Sequence, residues 1–189
     1  TAPAGLAVIV IVGTVTTYTA TTARWTTPAV VAVAVLGAAL FGWFRRRELT
    51  GAHRRIDWWP LVVAVACFTI FAAPVAMSGA ASWAGWIKLD DTATWLAFTD
   101  QLMTAGRAIP EPMTSTFERL IDVNFRGTYG GTAAQQYPLG SFPPLGVLSQ
   151  LTASDVAWLI HPYMSTVGAL LGLCIYRLLQ PLVRRRWVR

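Results

Sequence analysis

The strongest constraint on this chain is that its apolar residues fall into blocks about as long as a bilayer is thick. A hydrocarbon core of about 30 Å needs roughly 20 apolar residues in a helix. Four blocks approach that length: Pro3 to Ala20, Thr27 to Phe44, Trp58 to Ala80, and about Val156 to Leu182. The last three hold no Asp, Glu or Lys, and their single charge, Arg177, lies near the end of the fourth. A charge at mid-bilayer costs about 2.5–3.5 kcal/mol on insertion scales, so blocks this clean meet what a span requires. The first block is rich in Thr in its second half. It lacks the basic flank of a signal segment and is followed by another span, so it is read as a helix too. Only 13% of the 189 residues are charged, against about 25% in soluble domains. The expectation is an all-α membrane protein with about four transmembrane helices, not a soluble globular domain.

The net charge of +6 is distributed by side. The segment Arg45–Asp57 holds five Arg against Glu48 and Asp57, and the stretch from Arg177 to Arg189 holds five Arg and no acid. The long segment between the third and fourth blocks has four basic and seven acidic residues. Basic residues flanking membrane ends on one side follow the positive-inside pattern. A nucleic-acid binder would gather them on one face with groove-reading partners, so no nucleic-acid partner is expected. The expected topology is a multi-pass plasma-membrane protein with both termini cytoplasmic and residues 81–155 outside. Residues 1–57 would be two spans with a basic cytoplasmic loop, 58–182 a helix pair joined by the long outer loop, and 183–189 a basic cytoplasmic flank. The chain opens on Thr and closes on Arg-Arg-Arg-Trp-Val-Arg, a stop-transfer flank, so a fragment of a larger membrane protein is expected.

Cys67 and Cys174 fall within spans and read as small hydrophobes. His53 and His161 fall on opposite sides and form no common site. His161-Pro162 inside a span is a functional candidate or a group reaching the interface. No motif implies a cofactor, and dependence on a divalent metal is open.

The outer loop carries the candidate chemistry. Ser82 to Lys88 suits an aromatic belt, and Leu89-Asp90-Asp91 follows. Residues 92–107 predict a helix, with Asp91 as N-cap, Gly106 as stop, and Trp95, Phe98, Leu102 and Ala105 on one stripe. Such a helix is expected to lie on the membrane surface, apolar side down. Ser115 to Val123 predicts a second helix opened by a capping box. Tyr137 to Gly146 leads into an apolar run ending at Leu151, too short to span, that suits a re-entrant or interfacial helix. Asp90 and Asp91 have two readings: a helix cap with a solvated neighbour, or a carboxylate held at the membrane surface as a general base. Lys88, Arg107, Arg119 and Arg126 are either solvated or hold lipid phosphate. Tyr129 and Tyr137 line a groove or serve turn chemistry.

A span, paired acids at its outer end (Leu89-Asp90-Asp91-Thr92-Ala93-Thr94-Trp95), an amphipathic helix, and Tyr137-Pro138-Leu139-Gly140 before the next span resemble the first outer loop of the GT-C superfamily. These are polytopic glycosyltransferases that use polyprenyl-phosphate-linked sugars, as in protein O-mannosyltransferases and actinobacterial arabinofuranosyltransferases. The resemblance covers about residues 58–182. It implies that Asp90 or Asp91 is the catalytic base, that a polyprenyl-phosphate-linked sugar and membrane lipid are the partners, and that Lys88, Arg107 or Arg126 offsets charge on the leaving phosphate. Members often carry Asp-Glu or a single Asp here, which leaves the choice of base open. They also have many more spans, so this chain would be the N-terminal portion. The rival readings are a non-catalytic scaffold or assembly protein and part of a transporter.

Overall fold

A computed structural model describes residues 2–49, 57–79, 90–107, 116 and 139–183, and every regular element among them is helical. Three helices are long and apolar enough to cross a membrane: the Thr26–Phe44 part of α3 (Thr26–Leu49), α4 (Trp59–Ser78), and the last helix, Val156–Leu179. The chain divides into two compact units.

The first unit comprises Thr1–Gly5, Leu36–Lys88 and Ala157–Arg189. Within it, α4 starts with Pro60 in its first turn and ends on Gly79 at φ 64°, the start and stop signals that helix ends favour. None of the α4 residues is buried. Val63, Cys67 and Phe71, spaced along one stripe, meet Gly168 and Gly172 of the last helix. Small residues let two helix backbones approach closely where lipid supplies no hydrophobic drive between them. Both cysteines are free thiols, and Cys67 fills the space over Gly172.

The second unit comprises Leu6–Val35 and Leu89–Val156. Its first block forms α1 (Ala2–Thr16), a 15-residue helix that reaches only about 22 Å at 1.5 Å per residue. It stops earlier than the apolar block because Thr19 caps a new short helix, α2 (Ala20–Ala23), in a reciprocal capping box with Thr22. The Thr-rich end of α1 remains helical by returning its hydroxyls to its own backbone. Thr14 Oγ1 donates to the Val10 carbonyl at 2.7 Å and Thr17 Oγ1 to the Gly13 carbonyl at 2.8 Å. Such i−4 bonds let hydroxyls sit where water does not reach, and Thr17 is buried.

Helix α5 (Asp90–Ala105) corrects the expectation of a helix lying free on the membrane surface. Phe98 and Leu102 are fully buried against Leu139 and Phe142, with Trp95 beside them. Met103 is buried with Val30 and Val147, backed by Ile9 and Val12. The apolar stripe predicted from sequence exists, and protein covers it. The cover is a 3-10 turn (Leu139–Ser141) leading into α6 (Phe142–Thr152), the short helix expected before the last span, here called α7 (Val156–Leu179). The rings of Phe98 and Phe142 meet edge to face, 5.8 Å between centroids, a geometry that aromatic quadrupoles favour. Three glycines allow this closeness. Gly13 lies against Pro143, Gly140 against Val10 and Thr14, and Gly146 against Met103 and Thr99. At the far edge Thr27 Oγ1 donates to Gln150 Oε1 at 2.6 Å. The second loop helix predicted at Ser115–Val123 lies outside the described residues apart from Thr116.

Gly106 ends α5 at φ 61°, and a Cβ there would sit 2.7 Å from the Thr19 carbonyl carbon and oxygen and 2.8 Å from the Thr17 oxygen. The left-handed conformation costs a side-chain-bearing residue about 1–2 kcal/mol, and forced overlap typically adds about 1–3 kcal/mol. Gly106→Ala is therefore expected to lower the thermal unfolding midpoint of the purified protein clearly. Gly37→Ala, which meets nothing within 4 Å, should leave it in place. Equal midpoints for the two variants would contradict the close approach of α5 to the Thr17–Thr19 turn.

Candidate functional site

Asp90 and Asp91 occupy the first two positions of α5. Asp91 was expected to be the N-cap of a helix starting at Thr92; the helix instead begins two residues earlier and takes both acids into its first turn. Carboxylates are favoured there by the helix dipole and the unpaired backbone N–H groups. The next residue, Thr92, is already buried, and Trp95 one turn on packs against the Phe98–Phe142 cluster. The backbone that carries the acid pair is thus anchored within one turn of it.

Arg107 lies at the opposite end. Fifteen steps of helical rise, each about 1.5 Å, put Ala105 about 22 Å from Asp90 along α5, and Arg107 follows two residues later, past Gly106. No arginine side chain closes that gap, so a phosphate within reach of the acid pair is out of Arg107's reach. Of the three residues to which the resemblance gives the leaving-group role, Arg107 is the one within the described residues. Lys88 and Arg126, the other two, lie outside the described residues, as do Tyr129 and Tyr137. Arg107 instead stacks over the Tyr18 ring, its Cζ 5.4 Å from the centroid, beside the seat of Gly106 on the Thr17–Thr19 turn. On the same connection the Arg24 guanidinium lies 5.8 Å from the Trp25 ring. Sequence reading missed these two arginine–aromatic pairs. The signal available was that Tyr18 and Trp25 stand where apolar blocks end and begin.

A second acidic feature also went unread. Asp100, midway along α5 and exposed, has its carboxyl held above the usual carboxylate range, first by partial burial and then by the negative charge of Asp155. Asp155 immediately precedes α7. Among the described residues, no three His, Cys, Asp or Glu gather as metal ligands. Comparison with protein-family models, curated proteins and solved structures gave no match.

A raised carboxyl pKa means that the folded unit binds this proton more tightly than the unfolded chain does. Ionised Asp100 therefore opposes folding above its folded pKa, and the penalty vanishes as pH falls below the unfolded value near 3.8. Asp100→Asn is expected to raise the unfolding midpoint at neutral pH and to lose that advantage below pH 3.8. A constant difference at every pH would contradict the upward shift of the Asp100 carboxyl.

Proposed function

We propose that this chain is the N-terminal portion of an integral membrane glycosyltransferase of the GT-C type, which moves a sugar from a polyprenyl-phosphate donor to an acceptor hydroxyl on the non-cytoplasmic side. The observation that carries the reading is the anchoring of Asp90 and Asp91 to a helix whose next residue is buried. A general base must be held within hydrogen-bond reach of the proton it removes, and a side chain on a rigid element meets that demand better than one on a loop.

In the proposed reaction one of the two carboxylates accepts the proton of the acceptor hydroxyl. The hydroxyl oxygen bonds to the anomeric carbon, the bond from that carbon to the phosphate oxygen breaks, and the lipid phosphate leaves with the electron pair. Attack opposite to the leaving group inverts the anomeric centre. Lys88 and Arg126 are the cations assigned to the departing phosphate.

The proposed topology counts α1 as a fourth, short span, with both termini cytoplasmic. The 17–25 connection and the loop helices α5 and α6 then share the outer side. That α5 packs against α2 and that Gly106 seats on the Thr17–Thr19 turn supports this assignment, since segments on opposite faces of a bilayer do not meet. A non-catalytic assembly subunit is the second reading. It is favoured by α4, which buries no residue and, apart from the Val63–Cys67–Phe71 stripe that meets the last helix, offers its surface to lipid or to other spans.

Transfer from a polyprenyl-phosphate sugar, measured in membranes containing the protein, separates the two. Asp90→Asn or Asp91→Asn is expected to reduce transfer by about 10²–10⁴-fold, the usual contribution of a positioned base. Normal turnover by both variants would exclude the carboxylate mechanism.

A further inference from the structure

Among the described residues, two arginines stand apart from the basic flanks that topology explains. Arg24 and Arg107 belong neither to residues 45–57 nor to residues 177–189, yet the fold brings each onto an aromatic ring of one connection, residues 17–25. Tyr18 comes two residues after α1 ends, and Trp25 immediately precedes the Thr26–Phe44 candidate span. Both rings are widely exposed, 66% for Tyr18 and 58% for Trp25. They therefore stand where apolar helices give way to water, the level at which interfacial Tyr and Trp are found. Stacking on a ring covers the apolar stem and holds the guanidinium plane at that level. Three threonine hydroxyls cluster between them, Thr19 Oγ1 lying 3.0 Å from Thr21 Oγ1 and 2.7 Å from Thr22 Oγ1, all exposed. The first acid in the sequence is Glu48, so no carboxylate on the connection or its flanking α1 opposes an anion here.

We propose that the 17–25 connection, with Arg107 seated on it, binds the phosphodiester headgroup of an anionic phospholipid. Guanidinium groups match phosphate oxygens in a bidentate fork, and threonine hydroxyls add donors. The exposed rings select a lipid over a free anion. They offer apolar faces to the acyl boundary, for which inorganic phosphate has no use. This inference needs no sugar-transfer chemistry and stands or falls separately from it.

The test titrates the full chain, purified in mild detergent, with phosphatidylglycerol, phosphatidylcholine and inorganic phosphate, and counts bound lipid by native mass spectrometry. Phosphatidylglycerol is expected to be retained over phosphatidylcholine. Arg24→Gln should weaken phosphatidylglycerol binding about fivefold, the effect of one surface arginine near anionic lipid. Trp25→Leu should weaken it as well, and Arg24→Lys should recover part of the loss. Circular dichroism checks that each variant keeps its helices, which the exposed position of Arg24 favours. Unchanged retention by Arg24→Gln would overturn the proposal. So would an equal loss from Arg46→Gln, an exposed arginine of the other basic segment, because binding would then belong to basic charge in general. Displacement of the lipid by inorganic phosphate would assign the site to a free anion and overturn it too.

Discussion

The burial of α5 by the rest of its unit is the constraint on which the other features depend. A 16-residue helix with four Thr is marginal in water by itself, since most helical stability in proteins comes from tertiary contact of one face. Phe98 and Leu102, both wholly buried, each contribute about 1.5–3 kcal/mol when removed from water. Without that contribution the acid pair at one end and Arg107 at the other would ride on a segment with no fixed position. With it, α5 becomes a bar of about 24 Å whose start and finish are both set by neighbours.

Those two ends make different chemistry available. The first turn gathers negative charge where a helix dipole favours it; the last residues meet an arginine–aromatic connection where membrane helices begin. Asp100 stands between them near Asp155, so α5 carries acid along its length and is countered at its C-terminal end by Arg107. The glycines explain how so small a unit closes. Gly13, Gly106 and Gly146 each stand where a larger residue would overlap a neighbour, and Gly140 where it would crowd one, whereas Gly37 and Gly42 in α3 meet nothing.

Local features of this fold were legible in the chain. Charge-free blocks marked the three long helices, and Gly106 marked the end of α5. The apolar stripe of α5 was also correct in its residues. Its partner was not legible, because periodicity shows that a face must be covered and does not distinguish lipid from Leu139 and Phe142, some forty residues further along. The first block misled by composition. Threonines that back-bond to their own helix look compatible with a longer span until Thr19 begins a new cap. The separation of Arg107 from the acid pair follows mainly from the rise of α5, which ends two residues before Arg107. Tyr18 escaped notice because its pairing with Arg107 depends on how the loop returns to the first helices, a contact distant in sequence, whereas Arg24 lies over the ring of its own neighbour Trp25.

Cysteine cross-linking in native membranes tests the central claim most directly. In a background with Cys67 and Cys174 replaced by Ala, the pair Met103→Cys and Gly146→Cys places one thiol on α5 and one on α6, where the wild-type side chain and backbone touch. A buried α5 predicts efficient disulfide formation on mild oxidation. It also predicts little or none for Thr104→Cys with Gly146→Cys, because Thr104 is exposed on another face. Equal cross-linking of the two pairs, or none for the first while the protein remains helical, would show α5 lying free of α6 and would remove the basis for a positioned acid pair.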